Sequence, residues 1–261
     1  MSRADGKPSS HRPHRPAQQP RPSSVALILF SRAPVAGKTK TRLIPALGPE
    51  GARDFHAACL NDLIAEAQAW KTARNAPGGA GEGHETAGIH LFITPPGAQA
   101  AFHQAGVNWP GDFSLHGQRG ESLGARMADA FTRVQRGKHG PRRVLLVGTD
   151  LPLLTAAHLN AATDALADAD VVFGPTKDGG YYLVALKGAP GALFEITGWG
   201  GDTVLADSLA QARQLETTTS LIDELPDADT PKGLAALLAH PLAGELAHRE
   251  SLRFLKERAF L

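Results

Sequence analysis

The amino-acid sequence predicts an α/β protein with a mostly parallel sheet and helices on both of its faces. Continuous apolar runs of strand length alternate with segments whose apolar residues recur at helical spacing. The segments that combine charged residues with glycine and proline follow directly after such apolar runs. Because ligands bind beyond the carboxyl ends of strands in open α/β sheets, we expect the functional residues to gather at that edge.

The predicted elements begin at Val25, where the first apolar run starts. In the first half of the chain we predict strands over 25–30, 89–94 and 113–115, helices over 50–70 and 121–136, a short helix after Pro96, and a glycine-rich loop over 74–88. The helix over 121–136 is predicted to turn Leu123, Met127, Ala130, Phe131 and Val134 inward. Cys59 falls on the apolar side of its helix, which favours a buried hydrophobe over a catalytic thiol.

In the second half, capping residues mark several helix starts. We predict strands over 143–148, 171–174, 181–186 and 219–223, and helices over 156–167, 202–215, 231–239 and 242–258. Thr155, Asp202, and either Asp229 or Thr230 are the predicted N-caps, with Pro231 at the first helical position. No repeat and no second change of composition appears, so residues 25–261 are expected to form a single domain.

Residues 1–24 differ from the rest in composition. They hold five basic residues against Asp5 alone, five prolines and almost no large apolar residues. Such a segment cannot bury enough surface to offset its ordering entropy, so we expect a disordered basic tail. An inert extension is favoured over a nucleic-acid or membrane tether, and a transit peptide also fits the composition.

Composition excludes several classes of function. No apolar run approaches the roughly 20 residues that span a bilayer, and the single cysteine indicates a reducing compartment. The expected localisation is cytoplasmic. Outside the tail the chain is mildly acidic, which argues against a nucleic-acid-binding face. The eleven histidines show no zinc-ligand spacing, and no G-x-S-x-G motif is present.

A basic loop over residues 32–42 follows the first strand. It offers the planar guanidinium groups of Arg32 and Arg42 and the compact charge of Lys40, and Gly37 permits close backbone approach. This pattern favours a diphosphate-binding loop over a merely solvated one. A Walker A loop is excluded because it needs glycine at position 32.

Three aspartates also lie beyond strand ends. Asp150 is placed to bind Mg²⁺ or Mn²⁺, which take carboxylate and phosphate oxygens; the alternative is a turn residue. Asp178 precedes Gly179 and Gly180 at a hairpin turn, where it could instead accept hydrogen bonds from sugar hydroxyls. Asp229 is a helix cap or a second metal carboxylate.

Five motifs in one order carry a resemblance to a known family. They are R-x-P-x-x-G-x-x-K-T-R-L (32–43), Q-x-G-x-x-L-G-x-R-M-x-x-A-F (118–131), G-T-D-x-P-x-L (148–154), G-P-x-x-D-G-G-Y-Y-L (174–183) and D-x-D-T-P (227–231). Together they resemble a bacterial GT-A-like glycosyltransferase family, part of which is labelled arsenosugar-biosynthesis glycosyltransferase. The chain is more distantly similar to molybdopterin and lactyl-phosphate nucleotidyltransferases.

The resemblance implies a GT-A, nucleotide-diphospho-sugar transferase fold with a Rossmann-like sheet. It implies nucleotide or phosphate binding by Arg32, Gly37, Lys40, Arg42, Gln118, Gly120 and Arg126, sugar binding by Asp178, Gly179 and Gly180, metal binding by Asp150 and Asp229, and catalytic roles for Asp150, Lys40 and Asp178. The family usually has W-S-T where this chain has Trp199-Gly200-Gly201, and it continues D-T-P with E-D-L where this chain has Lys232-Gly233-Leu234.

These features lead to a metal-dependent transferase that moves a sugar from a nucleotide-sugar donor to a small acceptor. One alternative is a nucleotidyltransferase that uses a nucleoside triphosphate and releases pyrophosphate. The other, motivated by Trp199-Gly200-Gly201, is a nucleotide-binding protein without turnover.

Overall fold

A computed structural model describes residues 25–76, 86–136 and 140–258. The predicted basic tail and most of the glycine-rich loop lie outside the described residues. The strands are β1 (Val25–Arg32), β2 (Ala87–Thr94), β3 (Ser114–Gly117), β4 (Arg143–Val147), β5 (Val171–Pro175), β6 (Tyr181–Lys187) and β7 (Thr219–Leu221). The helices are α1 (Ile44–Asn75), α2 (Gln99–Gln104), α3 (Leu123–Gln135), α4 (Ala156–Ala165), α5 (Val204–Gln214), α6 (Pro231–Leu238), α7 (Pro241–Glu245) and α8 (Glu250–Glu257).

The seven strands form one sheet in the order β3-β2-β1-β4-β6-β5-β7. Only β6 runs antiparallel to its neighbours, so the prediction of a mostly parallel α/β sheet is confirmed. Successive residues of β1 alternate between the two hydrophobic cores: Leu27 and Leu29 pack into one, Ala26 and Ile28 into the other. Helices therefore cover both faces, because an α/β sheet buries both of its surfaces.

The strand directions bring six connecting segments to one edge of the sheet. The carboxyl ends of the six parallel strands β1, β2, β3, β4, β5 and β7 all lie at that edge, and antiparallel β6 starts there, joined to β5 by a hairpin. The sheet changes winding direction between β1 and β4, the position where α/β sheets open a crevice for ligands.

Three details of the predicted elements are wrong. Leu123 is 43% exposed instead of inward, because it is the first residue of α3 and its side chain lies at the edge of the helix. Asp202 does not cap α5, whose N-cap is Thr203 without a side-chain hydrogen bond. The helix predicted over 242–258 is two helices, α7 and α8.

Other local predictions are confirmed. Thr155 caps α4 in a reciprocal pair with His158, and Thr230 caps α6 by accepting a hydrogen bond from the Gly233 N–H. Cys59 is buried in the core. Within the described residues, no helix is both long enough and apolar enough to cross a membrane.

Candidate active site

A buried ion pair joins the basic loop to the end of β4. Lys40 Nζ lies 2.6 Å from Asp150 Oδ1 and donates a 2.7 Å hydrogen bond to the Ala228 carbonyl. The Lys40 side chain is only 2% exposed, and its backbone has the left-handed conformation (φ 47°, ψ 47°). Burial alone would lower the pKa of Lys40, but Asp150 raises it, so Lys40 keeps its charge. The same pair holds the pKa of Asp150 well below its usual range despite burial.

One carboxylate oxygen of Asp150 lies in the protein interior, and the rest of the carboxylate faces the cavity. Its Oδ1 atom is buried, whereas the side chain as a whole is 40% exposed. The exposed surface therefore belongs to the atoms other than Oδ1. Asp150 can keep its bond to Lys40 and still offer an oxygen to a ligand.

His56 of α1 lies behind this pair. Its Nε2 atom is 3.0 Å from the Arg32 carbonyl and its Nδ1 atom is 3.5 Å from Asp150 Oδ1. The side chain is 4% exposed, and neither Nδ1 nor Asp150 Oδ1 has a hydrogen-bond partner of good geometry. His56 thus links the end of β1 to the end of β4.

The segment that follows β7 lies beside the Lys40–Asp150 pair. The Ala228 N–H donates to the Asp150 carbonyl at 3.0 Å, and Arg42 Nη1 lies 3.4 Å from Asp229 Oδ2. The sequence left open whether Asp229 would reach Asp150. The fold brings both into the wall of one cavity.

That cavity has a volume of about 620 Å³. It is lined by nine of the predicted site residues: Arg32, Lys40, Arg42, Gln118, Arg126, Asp150, Asp178, Gly180 and Asp229. Its volume lies within the range of small-molecule sites. Three predicted glycines, Gly37, Gly120 and Gly179, do not line it and act through backbone geometry.

These glycines permit close packing around the cavity. A Cβ atom on Gly120 (φ 132°) would lie 2.8 Å from the Arg126 nitrogen at the start of α3, and one on Gly179 (φ 87°) would lie 1.8 Å from the Asp202 carbonyl. Gly37 (φ 76°) has open space around it, so it serves the turn of the loop.

Gln118 and Arg126 are held by backbone carbonyls. Gln118 is buried, and its Nε2 donates 3.1 Å hydrogen bonds to the Ser31 and Phe92 carbonyls. Both amide protons are thereby used within the protein, which leaves only the side-chain oxygen for a ligand. Arg126 donates through Nε to the Gly120 carbonyl and is half-buried.

The predicted hairpin turn carries Asp178. Its Oδ1 accepts hydrogen bonds from Thr176 Oγ1 at 2.6 Å and from the Gly180 N–H at 3.2 Å. One oxygen of the carboxylate therefore shapes the turn, so the structural and the sugar-binding interpretations of Asp178 are compatible.

Several carboxylates in and beside the cavity repel one another. Burial first, and then the charges of Asp178, Asp229 and Asp150, raise the pKa of Asp227 to about 6. Burial and Asp150 likewise raise the pKa of Asp229. Negative charge in this region thus exceeds what Lys40 and Arg42 neutralise.

The donor set fits a hard divalent cation held by two protein groups. Asp150 and Asp229 supply carboxylate oxygens next to one cavity, and Mg²⁺ commonly takes one or two carboxylates with phosphates and waters. No group of three or more His, Cys, Asp or Glu side chains arranged to hold a metal occurs in the part of the chain that the structure describes. A metal here would therefore take its remaining ligands from the substrate and water.

Sequence reasoning missed two residues of this region. His56 was not singled out, although a histidine on the apolar side of a long helix is an unusual placement. Asp227 was noted only as part of D-x-D-T-P, and nothing in the spacing distinguishes it from Asp229.

Two sequence comparisons relate this chain to known proteins. The model of a family described as "uncharacterized protein conserved in bacteria (DUF2064)" matches residues 81–201. The phosphoenolpyruvate guanylyltransferase of Chloroflexus aggregans (strain MD-66 / DSM 9485) is 30% identical over 145 residues, which are 54% of this chain and 67% of that protein. The chain therefore belongs to the same protein family as this guanylyltransferase.

Solved structures agree on the fold. A crystal structure from Desulfovibrio desulfuricans G20, of a protein provisionally described as a nucleotide-diphospho-sugar transferase, covers 89% of this chain and 94% of its own at a TM-score of 0.74 and 23% identity. The predicted fold class of this chain is thereby confirmed. A structure of Rv0371C from Mycobacterium tuberculosis H37Rv in complex with manganese has a TM-score of 0.43 and 15% identity over 83% of this chain and 98% of its own, too low to transfer any property.

Proposed function

We propose that this protein is a metal-dependent transferase that moves a sugar from a nucleotide-sugar donor to a small acceptor. The observation that carries the proposal is the meeting of the basic loop with Asp150 and Asp229 around one cavity. Polyphosphates need cationic donors, and the loop offers two guanidinium groups outside the buried ion pair.

Each residue of the site has a distinct role in this proposal. Arg32 and Arg42, both exposed, bind the diphosphate. Lys40 holds Asp150 and the Ala228 carbonyl in place, and its third N–H donor is left for a phosphate oxygen. Mg²⁺ or Mn²⁺ held by Asp150 and Asp229 would stabilise the charge of the departing diphosphate.

The transfer breaks the bond between the anomeric carbon and the β-phosphate oxygen, and the electron pair leaves with the nucleoside diphosphate. The acceptor hydroxyl oxygen forms the new bond to that carbon, and its proton passes to solvent or to a carboxylate of the site. In this proposal Asp178, with one oxygen committed to the turn, binds a hydroxyl of the transferred sugar with the other.

Nucleotidyl transfer is the second candidate, and the 30% identity to a guanylyltransferase favours it. In that reaction the same loop would bind a nucleoside triphosphate, the acceptor would attack the α-phosphorus, and pyrophosphate would leave. The two candidates share the phosphate site and differ in the bond that breaks.

Analysis of the released product separates them. The purified protein is incubated with Mn²⁺ or Mg²⁺, an acceptor mixture and either nucleotide sugars or nucleoside triphosphates, with a chelator-treated sample as control. Release of a nucleoside diphosphate supports sugar transfer, and release of pyrophosphate supports nucleotidyl transfer. If nucleotides bind but no donor turns over with either metal, both reactions are wrong and the protein only binds nucleotides.

A further inference from the structure

Two parts of the cavity lining differ in charge. The basic loop supplies Arg32, Lys38, Lys40 and Arg42. A second part, the C-terminal wall, consists of the lining residues between 178 and 204: Asp178, Gly180, Tyr181, Tyr182, Trp199, Gly200, Gly201 and Val204. Among these lining residues there is no lysine, arginine or histidine, and Asp178 carries a negative charge.

The aromatic residues of the C-terminal wall present rings and not hydroxyl groups. The Tyr182 hydroxyl donates to the Asp223 carbonyl at 3.0 Å, and the Tyr181 hydroxyl oxygen is buried. The indole of Trp199 meets the Tyr181 ring edge to face at 6.4 Å between centroids. These three rings therefore give the wall an apolar surface beside Asp178.

Trp199 is held in this position by a close contact with α3. A Cβ atom on Gly124 would lie 2.9 Å from Trp199 Nε1 and 2.3 Å from the Phe194 carbonyl. Glycine at 124 is what allows the indole to lie against the helix. Next to it, Leu123 leaves an apolar side chain 43% exposed beside the cavity.

Gly200 and Gly201 extend the wall without side chains. A Cβ atom on Gly200 would meet nothing within 4 Å, and the residue has a positive φ of 87° that favours glycine. This segment therefore adds open space beside Trp199 and no polar side chain.

We propose that the C-terminal wall binds a neutral, hydroxyl-bearing acceptor with a flat apolar face that stacks on Trp199. A phosphorylated or carboxylate acceptor would meet Asp178 and no cation within this wall. Arg126 of α3 also lines the cavity, but its Nε is bound to the Gly120 carbonyl. Sugars and other polyols with an apolar face pack on aromatic rings and donate hydrogen bonds to carboxylates. This assignment rests on the proposed function, because it names the acceptor class of the same site.

A matched pair of probes tests the charge argument. Phenyl β-D-glucoside is neutral, and phenyl β-D-glucuronide adds one carboxylate to the same ring system. Their affinities are measured by calorimetry and saturation-transfer NMR at millimolar concentration, with and without saturating UDP and Mn²⁺. We expect the glucoside to bind about tenfold more tightly than the glucuronide, which corresponds to one uncompensated like charge near a protein surface.

Three variants locate the binding. Trp199→Leu is expected to weaken glucoside binding about tenfold and to leave UDP affinity unchanged. Trp109→Leu, at a tryptophan that does not line the cavity, serves as the matched control and should change neither. Asp178→Asn keeps a side-chain oxygen that can accept the hydrogen bonds of the turn. Because it removes the negative charge, it should reduce the difference in affinity between the glucoside and the glucuronide.

The proposal is overturned if the glucuronide binds as tightly as the glucoside, if neither binds, or if the two tryptophan variants behave alike. Failure of the proposed function would look different: UDP and the other nucleoside diphosphates would not bind, while the glucoside would still depend on Trp199.

Discussion

Two buried ion pairs, Arg249–Glu66 and Lys40–Asp150, hold the segment that follows β4. They differ in how many of their buried polar atoms have hydrogen-bond partners. Behind the segment, Arg249 donates through Nη1 to the Pro152 and Leu154 carbonyls at 2.7 Å and through Nη2 to Glu66 at 2.6 Å. The second oxygen of Glu66 accepts from the Ala156 N–H. Every charged atom that this pair buries therefore has a partner.

The pair that faces the cavity is left incomplete. Asp150 Oδ1 meets Lys40 but lacks a hydrogen bond of good geometry, and so does the neighbouring His56 Nδ1. The rest of the Asp150 carboxylate is exposed. Removing one member of a fully partnered buried pair leaves the other charge uncompensated, so such a pair fixes the loop that it joins. A pair with an acceptor oxygen still open to a cavity is available to a ligand.

The largest effect is expected from breaking the complete pair. Arg249→Met leaves Glu66 and two carbonyls without their buried donor, so we expect a loss of about 3–5 kcal/mol in the free energy of unfolding. Urea unfolding followed by circular dichroism measures it. Arg253→Met, one turn further along α8 and exposed, should cost less than about 0.5 kcal/mol. Equal effects for the two variants would contradict the comparison.

Replacing Lys40 in the Lys40–Asp150 pair should lower the free energy of unfolding less than Arg249→Met does. It should weaken nucleotide binding more. Lys40→Met leaves Asp150 unpaired, but its exposed carboxylate can hydrate, so we expect a loss of about 1–2 kcal/mol. The rise in melting temperature that UDP or GDP produces with Mn²⁺ should disappear. Lys232→Met, at an exposed lysine outside the cavity, is the control. A full nucleotide response in Lys40→Met would refute the role of this pair.

Removing the negative charge of Asp150 should abolish the metal-dependent part of nucleotide binding and leave the metal-independent part. Asp150→Asn retains an oxygen for Lys40, so its cost in stability is about 1 kcal/mol. The part of the nucleotide-induced melting shift that depends on Mn²⁺ should vanish, while Asp168→Asn, at an exposed aspartate, should keep it. A metal-dependent shift that persists in Asp150→Asn excludes Asp150 as a ligand.

The smallest expected effect is on the pH dependence of stability, through His158, which lies near the Arg249–Glu66 pair. His158 Nδ1 accepts a 3.1 Å hydrogen bond from the Thr155 N–H, and burial and Arg249 lower its pKa while Asp223 raises it less. Because the unfolded chain binds this proton more readily than the native one, the stabilisation is present above pH 6.5 and is lost as the pH falls below it.

The matched variants are His158→Gln, which can keep the reciprocal cap without titrating, and His248→Gln at an exposed histidine. Between pH 7 and pH 5, the free energy of unfolding of His158→Gln should fall less than that of the wild type, measured by urea unfolding. His248→Gln should follow the wild-type curve, and identical slopes for all three proteins would refute the prediction.

Local patterns predicted most of the fold because strands and capped helices depend on near neighbours. The 25–30 run and the caps at Thr155 and Thr230 illustrate this. The position of the site was predictable too, since parallel strands bring their carboxyl ends to one edge. The contact of Arg249 with Glu66 spans 183 residues, and no local signal encodes it. His56 likewise acquires its partners only when α1 packs on the sheet.

The tight contact at Gly179 has a consequence for how acceptor preference can change. The hairpin tip touches the Asp202 backbone, three residues after Trp199 in the chain. A methyl group on residue 179 would clash with this backbone and displace the segment that carries the Trp199 indole. A substitution at Gly179, which does not line the cavity, is therefore expected to alter the proposed acceptor site by moving Trp199.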